Sequence, residues 1–194
     1  METLIFDEEQ HKYTYNGVVI PSVTQILQTA GLSSFGNINE SVLQEAGERG
    51  KLVHQYTEDY DNGVLDLDLL SSTYRGYIDS WASFIKDYNF VPQYVEIPLA
   101  HKWLKFAGKI DRVGTINKDE LIILDIKSGI KTPEVSIQTA GYKILFESNF
   151  GVKIKKRLAI FLKPTGYKVE VFTKKADENI FLSALNITNW KRSN

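Results

Sequence analysis

Two rhythms of apolar and polar positions run along this chain, and the change from one to the other divides it. Residues 3–7 (TLIFD) and 12–20 (KYTYNGVVI) alternate with period two and predict a small hairpin with Asn16-Gly17 as its turn. Pro21 ends the strand, and Ser22 is placed to cap a short helix to about Ala30, with Gly31 as its stop. Residues 32–39 are polar and read as a loop. Over residues 39–60 the period becomes helical, with Val42, Leu43, Ala46, Val53 and Tyr56 on related faces. Gly47 and Gly50 fall inside it and predict a kink or a close approach. Asp61-Asn62-Gly63 closes that helix. Residues 67–90 give a second long helix with Leu69, Leu70, Tyr74, Tyr77, Ile78, Trp81, Phe84 and Ile85 as a core-facing stripe.

After Phe90 the rhythm returns to strands. Residues 94–100 (YVEIPLA), 106–116 and 121–127 predict a three-stranded meander. Pro133 opens a helix ending near Gly151; residues 157–162 (RLAIFL) form a buried strand, and 167–172 pair with it after Pro164-Thr165-Gly166. A last helix covers about 176–190. Helices, three strands, helix, two strands and helix make an α/β fold with a mixed central sheet flanked by helices. With no repeat or linker, the expectation is one domain over 1–194: a hairpin and helices to residue 90, then a sheet core over 91–194.

Composition narrows the chemistry. A hydrophobic content of 43% suffices for one packed core, and the absence of cysteine excludes disulfides, thiolate nucleophiles, cysteine-bound zinc and cysteine-held iron–sulfur clusters. The start METLIFDEEQ is acidic and unlike a targeting peptide, and no apolar run reaches membrane-spanning length, so a soluble, cytoplasmic protein is expected. The net charge of −1 hides an asymmetry: residues 1–90 carry −9 and residues 127–194 carry +8. A basic C-terminal third suits an anionic partner, although a solvated lysine-rich surface gives the same count.

The candidate chemistry lies in 105–129, KFAGKIDRVGTINKDELIILDIKSG. It reads as two strands around the turn 117–120, each ending its apolar run at an acid, Asp111 and Asp125. Lys127 shares a strand face with Asp125. Two carboxylates suit a divalent cation such as Mg2+ or Mn2+, to which the carbonyl of Ile126 can add an oxygen. A lysine beside it can orient a water and offset charge on a phosphate. Strand acids also arise as surface ion pairs, but an acid and a lysine ending the apolar run LIIL need a partner or a purpose.

Gly108-Lys-Ile-Asp111, then Asp125-Ile-Lys127, then Gln138-Thr-Ala-Gly-Tyr142 resembles the PD-(D/E)xK nuclease superfamily. The RecB-like branch, with G-x-x-D, D-x-K and Q-x-x-x-Y, is the most similar. The stretch from His11 to Thr24, with PSVT, is similar to phage-type exonucleases and their mitochondrial genome-maintenance relatives. The resemblance implies a restriction-endonuclease-like core with an N-terminal helical and hairpin extension. It also implies that His54, Asp111, Asp125 and the Ile126 carbonyl hold a metal and that Lys127 is catalytic. Gln138 and Tyr142, one helical turn apart, border the site and the DNA, and Glu96 could point into it. Arg49 and Arg112, close in sequence to His54 and Asp111, are the expected DNA-backbone contacts.

These readings imply a metal-dependent deoxyribonuclease, an exonuclease on single-stranded DNA ends or flaps in replication, recombination or repair, with a helicase or recombination protein as partner. The alternative is a DNA-end-binding module that does not cleave.

Overall fold

A computed structural model describes residues 3–33, 40–117 and 120–194, so the centre of the expected 117–120 turn and most of the 32–39 loop lie outside the described residues. The chain opens with three strands, β1 (Leu4–Asp7), β2 (Lys12–Tyr15) and β3 (Val18–Ile20), paired antiparallel in that order. The expected hairpin is therefore a three-stranded sheet. Its Asn16-Gly17 turn has both residues at positive φ (49° and 80°), the backbone a tight two-residue hairpin needs and Asn-Gly tolerates. Asn16 also accepts the Thr3 amide through Oδ1, which ties β1 to the same turn.

Helix α1 (Val23–Thr29) starts at a reciprocal cap: Ser22 Oγ accepts the Gln25 amide and Gln25 Oε1 accepts the Ser22 amide. Helix α2 (Glu40–Asp61) runs unbroken through Gly47 and Gly50; a Cβ on Gly47 would meet open space, and one on Gly50 only Ser128 Oγ at 3.6 Å. After a 3-10 turn (Leu67–Leu69), helix α3 (Ser72–Tyr88) carries the expected aromatic stripe. Leu69 precedes that helix and is 83% exposed, so it drops out of the stripe.

The central sheet has order β4 (Phe90–Ala100), β5 (Ala107–Ile116), β6 (Glu120–Lys127), β7 (Lys156–Lys163), β8 (Gly166–Phe172). Only β6 and β7 are parallel, and the crossover between them is α4 (Val135–Phe150), ended by Gly151 in the left-handed region. Helix α5 (Ala176–Ser193) closes the chain. The result is a mixed α/β fold, a mixed five-stranded sheet flanked by helices.

Each face of the sheet buries its own core. Ile110, Val113 and Ile123 pack with Val23, Leu145 and Phe181 of α1, α4 and α5. On the other face Ile122, Leu124, Ile126, Leu158 and Ile160 pack with Val53 of α2 and Trp81 and Phe84 of α3. Alternation along β6 follows from this division. Ile122, Leu124 and Ile126 face α2 and α3, so Asp125 and Lys127 share the face of Ile123, toward α4. Among the described residues, no helix is long and apolar enough to cross a membrane.

Candidate active site

Strands β5 and β6 pair from Ile116↔Glu120 to Arg112↔Leu124, and there the register ends. One step further the Asp111 carboxylate takes over, its Oδ2 accepting the Ile126 amide at 2.7 Å. The two strands thus fork at their acids. From the other side, β4 supplies Glu96, which sits at φ 48° between the paired residues Val95 and Ile97. A non-glycine residue in that region costs on the order of 1–3 kcal/mol, and here the turn of the backbone brings the carboxylate to the fork. Helix α2 brings His54, whose Nε2 donates to the Ile126 carbonyl at 3.0 Å. Its Nδ1 lies 3.4 Å from Glu96 Oε1 and 3.7 Å from Asp111 Oδ2. One ligand atom each from His54, Glu96 and Asp111 fall within 4.8 Å of one another.

Asp125 is 1% exposed, and its Oδ2 stands 2.9 Å from Lys127 Nζ. That is ion-pair distance, yet neither carboxylate oxygen has a partner at hydrogen-bonding geometry. Lys127 Nζ also donates to Gln138 Oε1 at 3.2 Å, and Gln138 Nε2 donates to the Tyr142 hydroxyl at 2.9 Å. The lysine is therefore held from the crossover helix. Gly108 lets that helix come close: a Cβ there would sit 2.9 Å from the Tyr142 ring. A cleft of about 340 Å3 opens on the cluster, walled by His54, Glu96, Asp111 and Tyr142 and, from the N-terminal sheet, by His11 and Tyr13.

Residues 39–186 match the family model of the PD-(D/E)XK nuclease superfamily. The chain belongs to that superfamily. No curated protein matches it. Among solved structures, a candidate exonuclease from Eubacterium rectale superposes with a TM-score of 0.51 at 15% identity, covering 74% of this chain. This chain spans only 65% of that protein's length. An alkaline exonuclease from Laribacter hongkongensis is 13% identical over 89% of this chain and 91% of its own, with a TM-score of 0.38. Its complex with dAMP gives 13%, 90%, 92% and 0.41. The first likeness bears on the fold alone, and the others are too distant to add to it.

PD-(D/E)XK nucleases use divalent metal ions, and the donors gathered here fit one. A compact His-Glu-Asp group stands beside the buried Asp125 carboxylate, whose Oδ1 has no hydrogen-bond partner and whose Oδ2 stands 2.9 Å from the Lys127 ammonium, and hard cations take carboxylate oxygens. Burial pushes the Asp111 carboxyl up to about 6, the charges of Asp125 and Glu96 add to this, and His54 and Lys127 only partly offset it. Burial would also raise Glu96, but its hydrogen bond to His54 and the charges of His54, Lys109 and Arg112 hold it at about 2. Burial alone would lower His54; the charge of Asp111 and the bond and charge of Glu96 reverse this and raise it. Lys127 follows the same pattern, with Asp125 and Asp111 outweighing burial, so its ammonium stays protonated at neutral pH.

The crowding of carboxylates has a measurable consequence. In EDTA, Asp111→Asn is expected to raise stability at pH 7 by about 1–3 kcal/mol, because a buried charge is removed while an amide oxygen still accepts the Ile126 amide. The sign follows from the raised folded-state value: the Asp111 charge opposes folding above pH 6 and ceases to below about 3.8. The advantage of the variant should close over that interval in thermal melts. A variant less stable than wild type at pH 7 would contradict the repulsion.

One of the two expected DNA contacts needs revision. Arg112 is 0% exposed, so it cannot reach a DNA backbone. Its Nε donates to Asp61 at 2.6 Å, Nη1 to Glu96 at 3.0 Å and to the Asp111 carbonyl at 2.6 Å, and Nη2 to Thr57 at 3.2 Å. It is the support beneath the site. Arg49 is half-buried, and among the described residues its Nε has no hydrogen-bond partner. Much of the basic surface is also occupied. Lys131 pairs with Glu170, Lys143 with Glu147 and Glu178, Lys153 with Glu147 and Lys156 with Glu120. Sequence reasoning missed Asp61 and Thr57, which carry no motif; Tyr13 lay inside the His11–Thr24 resemblance but was given no role.

Proposed function

We propose that this chain is a divalent-metal-dependent deoxyribonuclease that hydrolyses phosphodiester bonds, working as an exonuclease on single-stranded DNA ends or flaps. The observation that carries this reading is the convergence of His54, Glu96, Asp111 and the Ile126 carbonyl with Asp125 and Lys127 where β5 and β6 fork. His54, Asp111, Asp125 and the Ile126 carbonyl would hold Mg2+ or Mn2+, and Glu96, in reach of His54 and Asp111, adds a further carboxylate to the donor set. When bound, such a cation polarises the scissile phosphate and lowers the pKa of the attacking water.

The chain's own groups do the rest. Lys127, protonated, gives its charge to the phosphate oxygens as negative charge builds there; as a cation it is no proton acceptor. Gln138 and Tyr142 fix where that ammonium points. Gln138→Ala is therefore expected to lower kcat about 10- to 100-fold while leaving the melting temperature within a few degrees, and Tyr142→Phe to do less. Equal kcat in Gln138→Ala and wild type would remove the glutamine from this role. Unwinding of a duplex falls to a helicase or recombination partner.

The deciding experiment follows end-labelled single- and double-stranded oligonucleotides with Mn2+, with Mg2+ and with EDTA. Cleavage with either metal and none in EDTA is expected. Mn2+ should also raise the thermal midpoint, since saturation at a hundred times Kd stabilises by about 2.7 kcal/mol. Intact substrate under every metal condition, or cutting that survives EDTA, would overturn the proposal.

A further inference from the structure

The loop between β4 and β5, residues 101–106, is short and internally bonded, and it presents a tryptophan to solvent. The His101 amide donates to the Phe106 carbonyl at 2.8 Å, and the Lys105 amide to the His101 carbonyl at 3.0 Å. His101 Nδ1 accepts the amides of Trp103 and Leu104 at 3.3 and 3.1 Å, and its ring stacks on Phe106. Trp103, fixed by this backbone, is 79% exposed. An indole held out on a rigid loop exposes apolar area that folding has no use for.

Its surroundings give it an occupant. Lys102 lies over the Trp103 ring at 5.4 Å, Lys105 over Tyr15 at 4.9 Å and Lys109 over Phe6 at 5.7 Å. The three lysines follow one another from the loop onto the start of β5, where Lys109 also pairs with Glu96 at 3.1 Å and Glu8 at 3.5 Å. Phe6 and Lys109 border the cleft at the fork, and Tyr15, Lys102 and Trp103 border a second cavity of about 410 Å3. Phe6 and Tyr15 alternate onto the same face of the N-terminal sheet, which packs against Ala100 and Ala107 at the base of the loop. From Asp111 back to Ala107 is four strand residues, about 13 Å at about 3.3 Å per residue. Tyr15 and Phe6 are packed into the small core beneath, so the lysines supply the charge and Trp103 the exposed ring, a pairing that matches a flexible anionic strand with unpaired bases.

We propose that the stretch from Lys109 on β5 back through Lys105 to Lys102 and Trp103 is the track of a single-stranded nucleic acid whose end lies in the cleft. The lysines meet successive phosphates, and Trp103 stacks on a base a few nucleotides from the cut. Bases in a duplex are already stacked on each other and cannot take this place, so the track discriminates single from double strands. This rests on the nuclease reading above and adds to it where the preference for unpaired strands resides.

The test measures binding by fluorescence anisotropy in EDTA, where cleavage does not interfere. A labelled oligonucleotide of about ten nucleotides and a labelled dinucleotide are titrated against wild type, Trp103→Ala and Trp103→Phe. Trp103→Ala should bind the longer strand about tenfold more weakly, within the range of one base–aromatic stack, while the dinucleotide, too short to span cleft and loop, is unchanged. Trp103→Phe should regain most of the loss, and the ratio of single- to double-strand affinity should fall in Trp103→Ala. Because Trp103 is exposed, melting temperatures should match wild type. Equal affinity of wild type and Trp103→Ala for the longer strand overturns the track even if wild type cleaves with Mn2+. Loss on Trp103→Ala in a wild type that never cleaves keeps the track and removes the nuclease reading instead.

Discussion

Lys127→Ala is expected to lower the rate of DNA cleavage by about a hundred- to a thousandfold, the cost typical of removing one preorganised group that stabilises developing charge. The lysine is placed for this by two contacts, the Asp125 carboxylate at 2.9 Å and Gln138 at 3.2 Å, and Gln138 is held in turn by Tyr142. Truncation leaves the acids Asp111, Asp125 and Glu96 with one cation fewer, so a modest loss of stability accompanies it. The site for the cation should survive, because none of the proposed donors is the lysine. A Mn2+-induced rise in melting temperature that persists in Lys127→Ala, together with lost cleavage, would place the defect in the chemistry. Cleavage within a few-fold of wild type would take Lys127 out of the mechanism.

The largest stability effect is expected at Arg112. Arg112→Ala should destabilise the protein by about 3–5 kcal/mol in denaturant melts, as breaking a buried ion pair from one side does. The residue joins Asp61, Glu96, the Asp111 carbonyl and Thr57 and lies 5.6 Å from the Trp81 ring, while Trp81 Nε1 donates to Asp61 at 2.9 Å. Without the guanidinium, the buried Asp61 carboxylate keeps only the indole. Asp61→Asn added to Arg112→Ala should therefore return part of the loss, since the amide oxygen can still accept from Trp81. Arg112→Lys should not substitute, because one ammonium cannot reach acceptors arranged around a planar fork. A loss under about 1 kcal/mol in Arg112→Ala would show that Asp61 and Glu96 are not held by it.

Much of this molecule was legible from its residues alone. Period-two and period-3.6 stretches gave the order of elements, and the end of β6 at Lys127 fell where expected. His54, Asp111, Asp125, Ile126, Lys127, Gln138 and Tyr142 are brought to one place. What escaped has physical causes. No glycine or asparagine marks the left-handed backbone at Glu96; its conformation is imposed by the tertiary contacts of its carboxylate with Arg112, Lys109 and His54. Arg112 looks like a surface cation because its counter-charge, Asp61, is 51 residues away. The basic C-terminal third looked free for the same reason, its lysines meeting partners such as Glu120 and Glu170 only in the folded sheet.

The same distances decide when the proposed site comes into being. His54 meets the Ile126 carbonyl across 72 residues and Glu96 across 42, and Arg112 closes on Asp61 across 51. None of these contacts is local, and each must repay the entropy of closing a long loop before it adds stability. The sheet can pair its β5–β6 hairpin early, yet that hairpin alone holds two acids and no imidazole. Assembly waits for α2 to dock and for α4 to carry the chain back to β7. The proposed site, with the glutamine and tyrosine that hold its lysine, is thus complete only once the whole topology has closed.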